Sequence, residues 1–258
     1  MMGTVHHWPL VVLAGVGIGT LMGFFGVGGS SVATPVLSML GLPALVAVAS
    51  PLPATIPAAA LAGASYLRSG DARPRAAAWS LLGGVPGALL GALVSRWVDD
   101  QLLLVASGLV LVAVGTRIVR PIDPTSRDAG ARRRANRPFL VAAAAGVGFF
   151  TGLLANGGGF LLVPLYVLVF GLRMRQAVGT SLVVVAVLAM PTLATHWALG
   201  HVDWSVAGLF AVGVLPASVA GTVVSRRVGG TALRQWFGWF LVIFGLLFSA
   251  VRLVSLLH

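Results

Sequence analysis

Gly26-Val27-Gly28-Gly29-Ser30-Ser31-Val32-Ala33-Thr34-Pro35 interrupts one long apolar run, and Ala155-Asn156-Gly157-Gly158-Gly159-Phe160-Leu161-Leu162-Val163-Pro164 interrupts another. Each interior glycine disfavours helix by about 1 kcal/mol relative to alanine, so clusters this dense mark unwound segments. The runs around them, Pro9 to Leu40 and Phe139 to Phe170, are about 32 residues each. That exceeds the roughly 20 residues that cross a bilayer, so each is expected to be a broken or paired helix, re-entrant or crossing twice.

The two stretches are copies of one unit. A displacement of 129 residues superposes Gly19, Gly23, Gly28, Gly29 and Pro35 on Gly148, Gly152, Gly157, Gly158 and Pro164. After a one-residue insertion the displacement is 130, and Gly41, Gly70, Gly83, Pro86, Gly91, Ser95 and Arg96 meet Gly171, Gly200, Gly213, Pro216, Gly221, Ser225 and Arg226. Each copy also carries three uninterrupted apolar spans: Ala44 to Leu67, Ala76 to Trp97 and Leu102 to Val119, then Val178 to Leu199, Val206 to Ser225 and Leu233 to Leu253. The expected fold is an all-α polytopic membrane protein of about 8 to 10 membrane segments. Its parts are a first repeat over 9–119, an arginine-rich linker over 120–138 and a second repeat over 139–255.

Composition supports this class and excludes others. With 58% apolar side chains and a mean hydropathy of +0.99, the 258 residues hold more apolar surface than one soluble core can bury. The net charge of +11 sits in short connections rather than on one basic face, which argues against nucleic acid as a partner. Cysteine is absent, so thiolate metal sites and disulfides are excluded. The histidines His6, His7, His196, His201 and His258 form no metal-ligand pattern and no pair of acids suits hydrolysis, so neither an enzyme nor a metal or cofactor site is expected.

Arginine placement orients the repeats, because cytoplasmic connections retain arginine. If each broken region crosses twice or re-enters, all of the 17 arginines except Arg96 and Arg252 share one face. A single crossing per broken region puts Arg96, Arg173, Arg175, Arg226, Arg227 and Arg234 opposite the rest. The first, inverted arrangement fits better. It places both termini outside and the linker, with Arg132, Arg133 and Arg134, in the cytoplasm.

Inverted repeats with interrupted helices are the usual architecture of secondary transporters, whose breaks meet near the midplane and turn helix ends toward a substrate. Helix N-termini that follow glycines favour an anion. The candidate binding set is Gly28, Gly29, Ser30, Ser31 and Ser50 in the first repeat, with Asn156, Gly157, Gly158, Gly159, Thr180 and Ser181 in the second. The competing role for the hydroxyls is a bond to a carbonyl one turn back in their own helix. Gly15, Gly19 and Gly23, like Gly83, Gly87 and Gly91, recur every fourth residue and are expected to pack helices closely. No Asp lies within a clear span, so His196 is the candidate proton-linked group, with a structural interfacial histidine as the alternative.

The glycine-rich breaks followed by proline, the segment Gly179-Thr180-Ser181-Leu182, His196 with Gly200-His201-Val202-Asp203-Trp204, and the Gly213 to Gly221 helix together resemble the TauE/SafE sulfite-exporter permeases, also called the 4-toluene sulfonate uptake permease family. The resemblance runs from about Gly15 to Arg252 and departs at Ala49-Ser50-Pro51-Leu52 and at Ser30. It implies a permease of a bacterial inner membrane moving sulfite, an organosulfonate or a related oxyanion, with the bilayer as its other partner and homo-oligomers compatible with it. The alternatives are a passive anion channel and an accessory membrane subunit without a pathway.

Overall fold

A computed structural model describes residues 8–94, 97, 100–120, 137–153 and 159–256. Among these residues every regular element is helical. The first repeat contains α1 (Trp8–Phe25), α2 (Gly29–Met39), α3 (Ala44–Ala49), α4 (Leu52–Arg68), α5 (Pro74–Val94) and α6 (Asp100–Val119). The second contains α7 (Arg137–Leu153), α8 (Gly159–Pro164) continued by a π-helical turn (Leu165–Val169), α9 (Met174–Ala198), α10 (Trp204–Arg227) and α11 (Gly230–Leu256). The chain is a multi-pass membrane protein: five spans, Trp8–Phe25, Leu45–Arg68, Met174–Ala198, Trp204–Arg227 and Gly230–Leu247, are long and apolar enough to cross a bilayer. Leu13, Leu89, Leu109 and Leu246 point outward from their helices, as lipid-facing side chains do.

Both repeats end their helices by the same chemistry. Gly70 and Gly200 take φ of +74° and +71°, a conformation natural to glycine just after a helix. The turn lets Asp71 N–H reach the Tyr66 carbonyl at 2.9 Å and His201 N–H reach the His196 carbonyl at 3.0 Å. Sequence equivalence thus extends to single backbone hydrogen bonds. The halves differ at the next level: Pro51 breaks the first copy between α3 and α4, whereas α9 runs uninterrupted through the equivalent position.

The helices gather into two compact units, and each unit draws on both repeats. One combines α1 to α4 with most of α9 and all of α10, and the other combines most of α5 with α6, α7, α8 and α11. In the first unit α1 and α10 lie parallel along a seam of small residues. Gly15 faces Phe210 and Val214, Gly19 faces Val214 and Ala217, and Gly23 faces Ser218 and Thr222. Gly213 and Gly221 return the contact onto Val12 to Val16 and Thr20 to Phe24. Apolar burial offers no gain between helices already solvated by lipid, so backbone approach of this kind supplies the dispersion contacts that hold them.

The second unit repeats the device. Gly83 and Gly87 of α5 meet the Val141 and Ala145 backbone of α7, while Gly148 meets Gly84. The equivalent helices α6 and α11 lie antiparallel, with Gly115 against Gly238 and Gly108 against Gly245. Phe160 of α8 stacks on Phe240 and Phe244 of α11, with centroids 6.2 and 5.0 Å apart.

A methyl group at Gly19 would stand 2.5 Å from the Val214 carbonyl oxygen, whereas one at Gly17 would meet nothing within 4 Å. Gly19→Val is therefore expected to destabilise the protein by about 1–3 kcal/mol or more, as overpacking does, and Gly17→Ala to stabilise it by up to about 1 kcal/mol, as alanine for glycine does inside a helix. Thermal unfolding of the two purified variants checks the pair.

Candidate functional site

The first glycine break lies within one unit and can be built atom by atom. Gly26 follows α1 with φ +73°, and a side chain there would also strike Ser181 and Val178. Only glycine suits that position. The last carbonyls of a helix have no partner within it, and here hydroxyls from other helices supply donors. Tyr66 of α4 donates to the Gly23 carbonyl at 3.2 Å, and the Thr222 hydroxyl of α10 lies 3.5 Å from the same oxygen. Ser181 of α9 shares its proton between the Gly26 carbonyl at 2.9 Å and the Val178 carbonyl at 2.8 Å.

The other side of the break is treated differently. Helix α2 starts after Gly28, which is extended (φ −60°, ψ 125°) and gives the helix no side-chain cap. Gly28 and Gly29 are buried, and Val27 beside them is 1% exposed. Gly29 backs onto Thr55 and Met22 so closely that a side chain would not fit. Ser30 is half-buried in the first turn, and its carbonyl accepts the Thr34 hydroxyl at 2.9 Å. The negative end of one dipole is thus satisfied by hydroxyls, while the positive end of the next has only its own N–H groups turned to the gap.

Ser50 and Thr180, equivalent by the 130-residue displacement, are buried and used in equivalent ways. Ser50 Oγ accepts the Asp203 N–H at 3.0 Å, and Thr180 Oγ1 accepts the Arg73 N–H at 3.0 Å. Arg73 and Asp203 are themselves 130 residues apart and immediately precede α5 and α10. Each repeat therefore lends a hydroxyl to the start of a helix from the other. Asp203 Oδ1 goes on to cap α10 through the Ser205 and Val206 N–H groups at 2.8 and 3.2 Å.

The predicted set is brought together only in part. Gly28, Gly29, Ser30 and Ser181 border the first break. The side chain of Ser31 lies outside the described residues, as do Asn156, Gly157 and Gly158, and Gly159 is the first residue of α8. His196 lies 15 residues beyond Ser181 on α9, about 22 Å along the axis at 1.5 Å per residue. Its Nδ1 is 3.2 Å from Nδ1 of His201, an arrangement in which one ring donates and the other accepts.

Tyr66, Thr222 and Arg226 border the same region and were not singled out from the sequence. Arg226, one turn after Thr222, donates through Nη2 to both the carbonyl and the hydroxyl of Ser65, and its Cζ lies 5.6 Å from the centroid of the Tyr66 ring. The one available signal was the Ser-Arg pair that recurs as Ser95-Arg96 and Ser225-Arg226.

A polytopic helical bundle with an unwound, hydroxyl-stapled segment buried in it defines a membrane transporter rather than an enzyme. Residues 11–248 match the sulfite exporter TauE/SafE family, and the chain belongs to that family. It is 30% identical over 244 residues to a probable membrane transporter protein of Xylella fastidiosa (strain 9a5c), covering 89% of this chain and 90% of that one. Two Bacillus subtilis (strain 168) relatives, the probable membrane transporter proteins YunE and YjnA, are 25% and 24% identical. They cover 85% and 92% of this chain, and 89% and 97% of their own lengths are matched. No solved structure matches the chain.

Ser181→Ala removes the donor to the Gly26 carbonyl without adding bulk. It is expected to cost about 1–3 kcal/mol, the penalty of a buried acceptor left unpaired, and to lower the melting temperature of the purified protein. Ser181→Thr, which keeps the hydroxyl, should recover part of that loss.

Proposed function

We propose that this transporter is a secondary permease for a small sulfur-containing oxyanion such as sulfite or an organosulfonate, and that the anion is held at the glycine breaks near the midplane. The observation that carries the proposal is the asymmetry of the first break. Two hydroxyls, those of Tyr66 and Ser181, bond the Gly23 and Gly26 carbonyls at the end of α1, and the buried amide end of α2 has no side-chain cap. Free amides and a positive dipole end select an anion, as at other helix N-termini. The sulfite-exporter name of the family supports sulfur oxyanions as the class.

The binding set is Gly28, Gly29, Ser30 and Ser31, completed from the second repeat by Asn156, Gly157, Gly158 and Gly159. Ser50, Thr180 and Ser181 hold the surrounding helices. His196, paired with His201 at the far end of α9, is the candidate for proton coupling. Alternating exposure distinguishes a carrier from a channel, and the prolines within α4, α9 and α10 provide places to bend.

Two observations support inverted repeats: the equivalent helices α6 and α11 pack antiparallel, and the Ser50–Asp203 and Thr180–Arg73 bonds exchange between halves. In this orientation both termini face outward from a bacterial inner membrane and the 120–138 linker is cytoplasmic. The chain has no native cysteine, so Ser126→Cys and His258→Cys can be labelled one at a time. A membrane-impermeant maleimide applied to spheroplasts should label the variant at 258 and spare the variant at 126; the reverse pattern removes this orientation.

A carboxylate at Ser30 would occupy the amide end of α2 in place of a substrate. Ser30→Asp is expected to lower saturable sulfite flux in proteoliposomes at least about tenfold with insertion unchanged, and Ser30→Asn to stay within about threefold of the parent. Flux through Ser30→Asp equal to the parent's would exclude the site. Single-channel currents in place of counterflow would favour a channel.

A further inference from the structure

The geometry points to a second anion subsite at Arg226, one helical turn along α10 from the Thr222 that lies against the end of α1. It deepens the permease reading above and rests on it for its role in transport. Thr222 and Arg226 are four residues apart and share one face of α10. Thr222 lies against the Gly23 carbonyl at the end of α1, which places Arg226 about 6 Å further along the axis. Tyr66 links the two levels, since its hydroxyl donates to Gly23 and its ring lies beside the guanidinium.

The partners of Arg226 are all neutral. The Ser65 carbonyl, the Ser65 hydroxyl and the tyrosine ring hold the guanidinium in place and leave its charge intact. The side chain is part-buried, and no carboxylate among the described residues pairs with it. Arg226 Nε is buried without an acceptor, as is the hydroxyl of the preceding residue, Ser225. Buried donors without acceptors are rare and demand an explanation. A tetrahedral or pyramidal oxyanion supplies both the charge and the acceptor oxygens.

The repeat adds independent support. Ser95-Arg96 occupies the position 130 residues before Ser225-Arg226 in the sequence, so each copy carries the same pair.

The test uses the full chain as parent, Arg226→Gln and Arg226→Lys. In proteoliposomes, Arg226→Gln is expected to raise the half-saturating concentration of radiolabelled sulfite at least about tenfold, with the maximal rate per folded protein within about twofold. Arg226→Lys, which keeps the charge, should stay within about threefold of the parent's half-saturation. A fall in maximal rate and melting temperature with unchanged half-saturation would mean that Arg226 only ties α10 to α4 and would overturn the subsite. Thermal stabilisation of the detergent-purified protein by sulfite, thiosulfate, sulfate and phosphate separates this result from failure of the permease reading. Stabilisation lost in Arg226→Gln but retained in Arg226→Lys sustains the subsite even if sulfite is not carried. Stabilisation equal in parent and Arg226→Gln, or by none of the four anions in the parent, overturns it.

Discussion

The packing of the first unit depends on how the end of α1 is held at the first glycine break, where hydroxyls from α4 and α9 bond the Gly23 and Gly26 carbonyls. At the carbonyl end, Tyr66, Thr222 and Ser181 reach in from α4, α10 and α9. Three separate helices must be in register for those hydroxyls to arrive together. The packing of the whole unit is therefore bound to the chemistry of one short segment.

Close helix packing makes that register possible. The α1–α10 seam brings backbone against backbone, so the position of Thr222 relative to Gly23 is set by glycine contacts rather than by flexible side chains. The swapped bonds from Ser50 to Asp203 and from Thr180 to Arg73 act in the same direction, because each fixes the start of one repeat's helix to the other repeat.

The membrane class and the first broken helix were legible because each depends on local sequence: the cluster at 26–29 announces unwinding by density, while Gly157 and Gly158 of the second cluster lie outside the described residues. The hydroxyl partners were not legible. Ser181 lies 155 positions from Gly26, and Thr180 lies 107 from Arg73. Nothing local says that a serine in an apolar span will serve another helix rather than its own previous turn. The composition of the compact units was hidden for a related reason: a displacement of 129 or 130 identifies equivalent surfaces, but not which copy of a surface packs against which. Arg226 was hidden differently, since an arginine near a span end reads as a topology marker, and only the neutral partners around it show that it turns inward.

Equivalence between the repeats also fails at an informative place. Ser181, which staples Gly26, corresponds to Pro51, and Gly26 corresponds to Ala155. Proline has no hydroxyl to offer, and alanine takes positive φ only under strain, so the second copy cannot reproduce the first break's geometry with the same residues. The Ser181–Gly26 bond therefore has no chemical counterpart in the residues at 51 and 155, and equivalence of sequence position does not carry equivalence of hydrogen bonding.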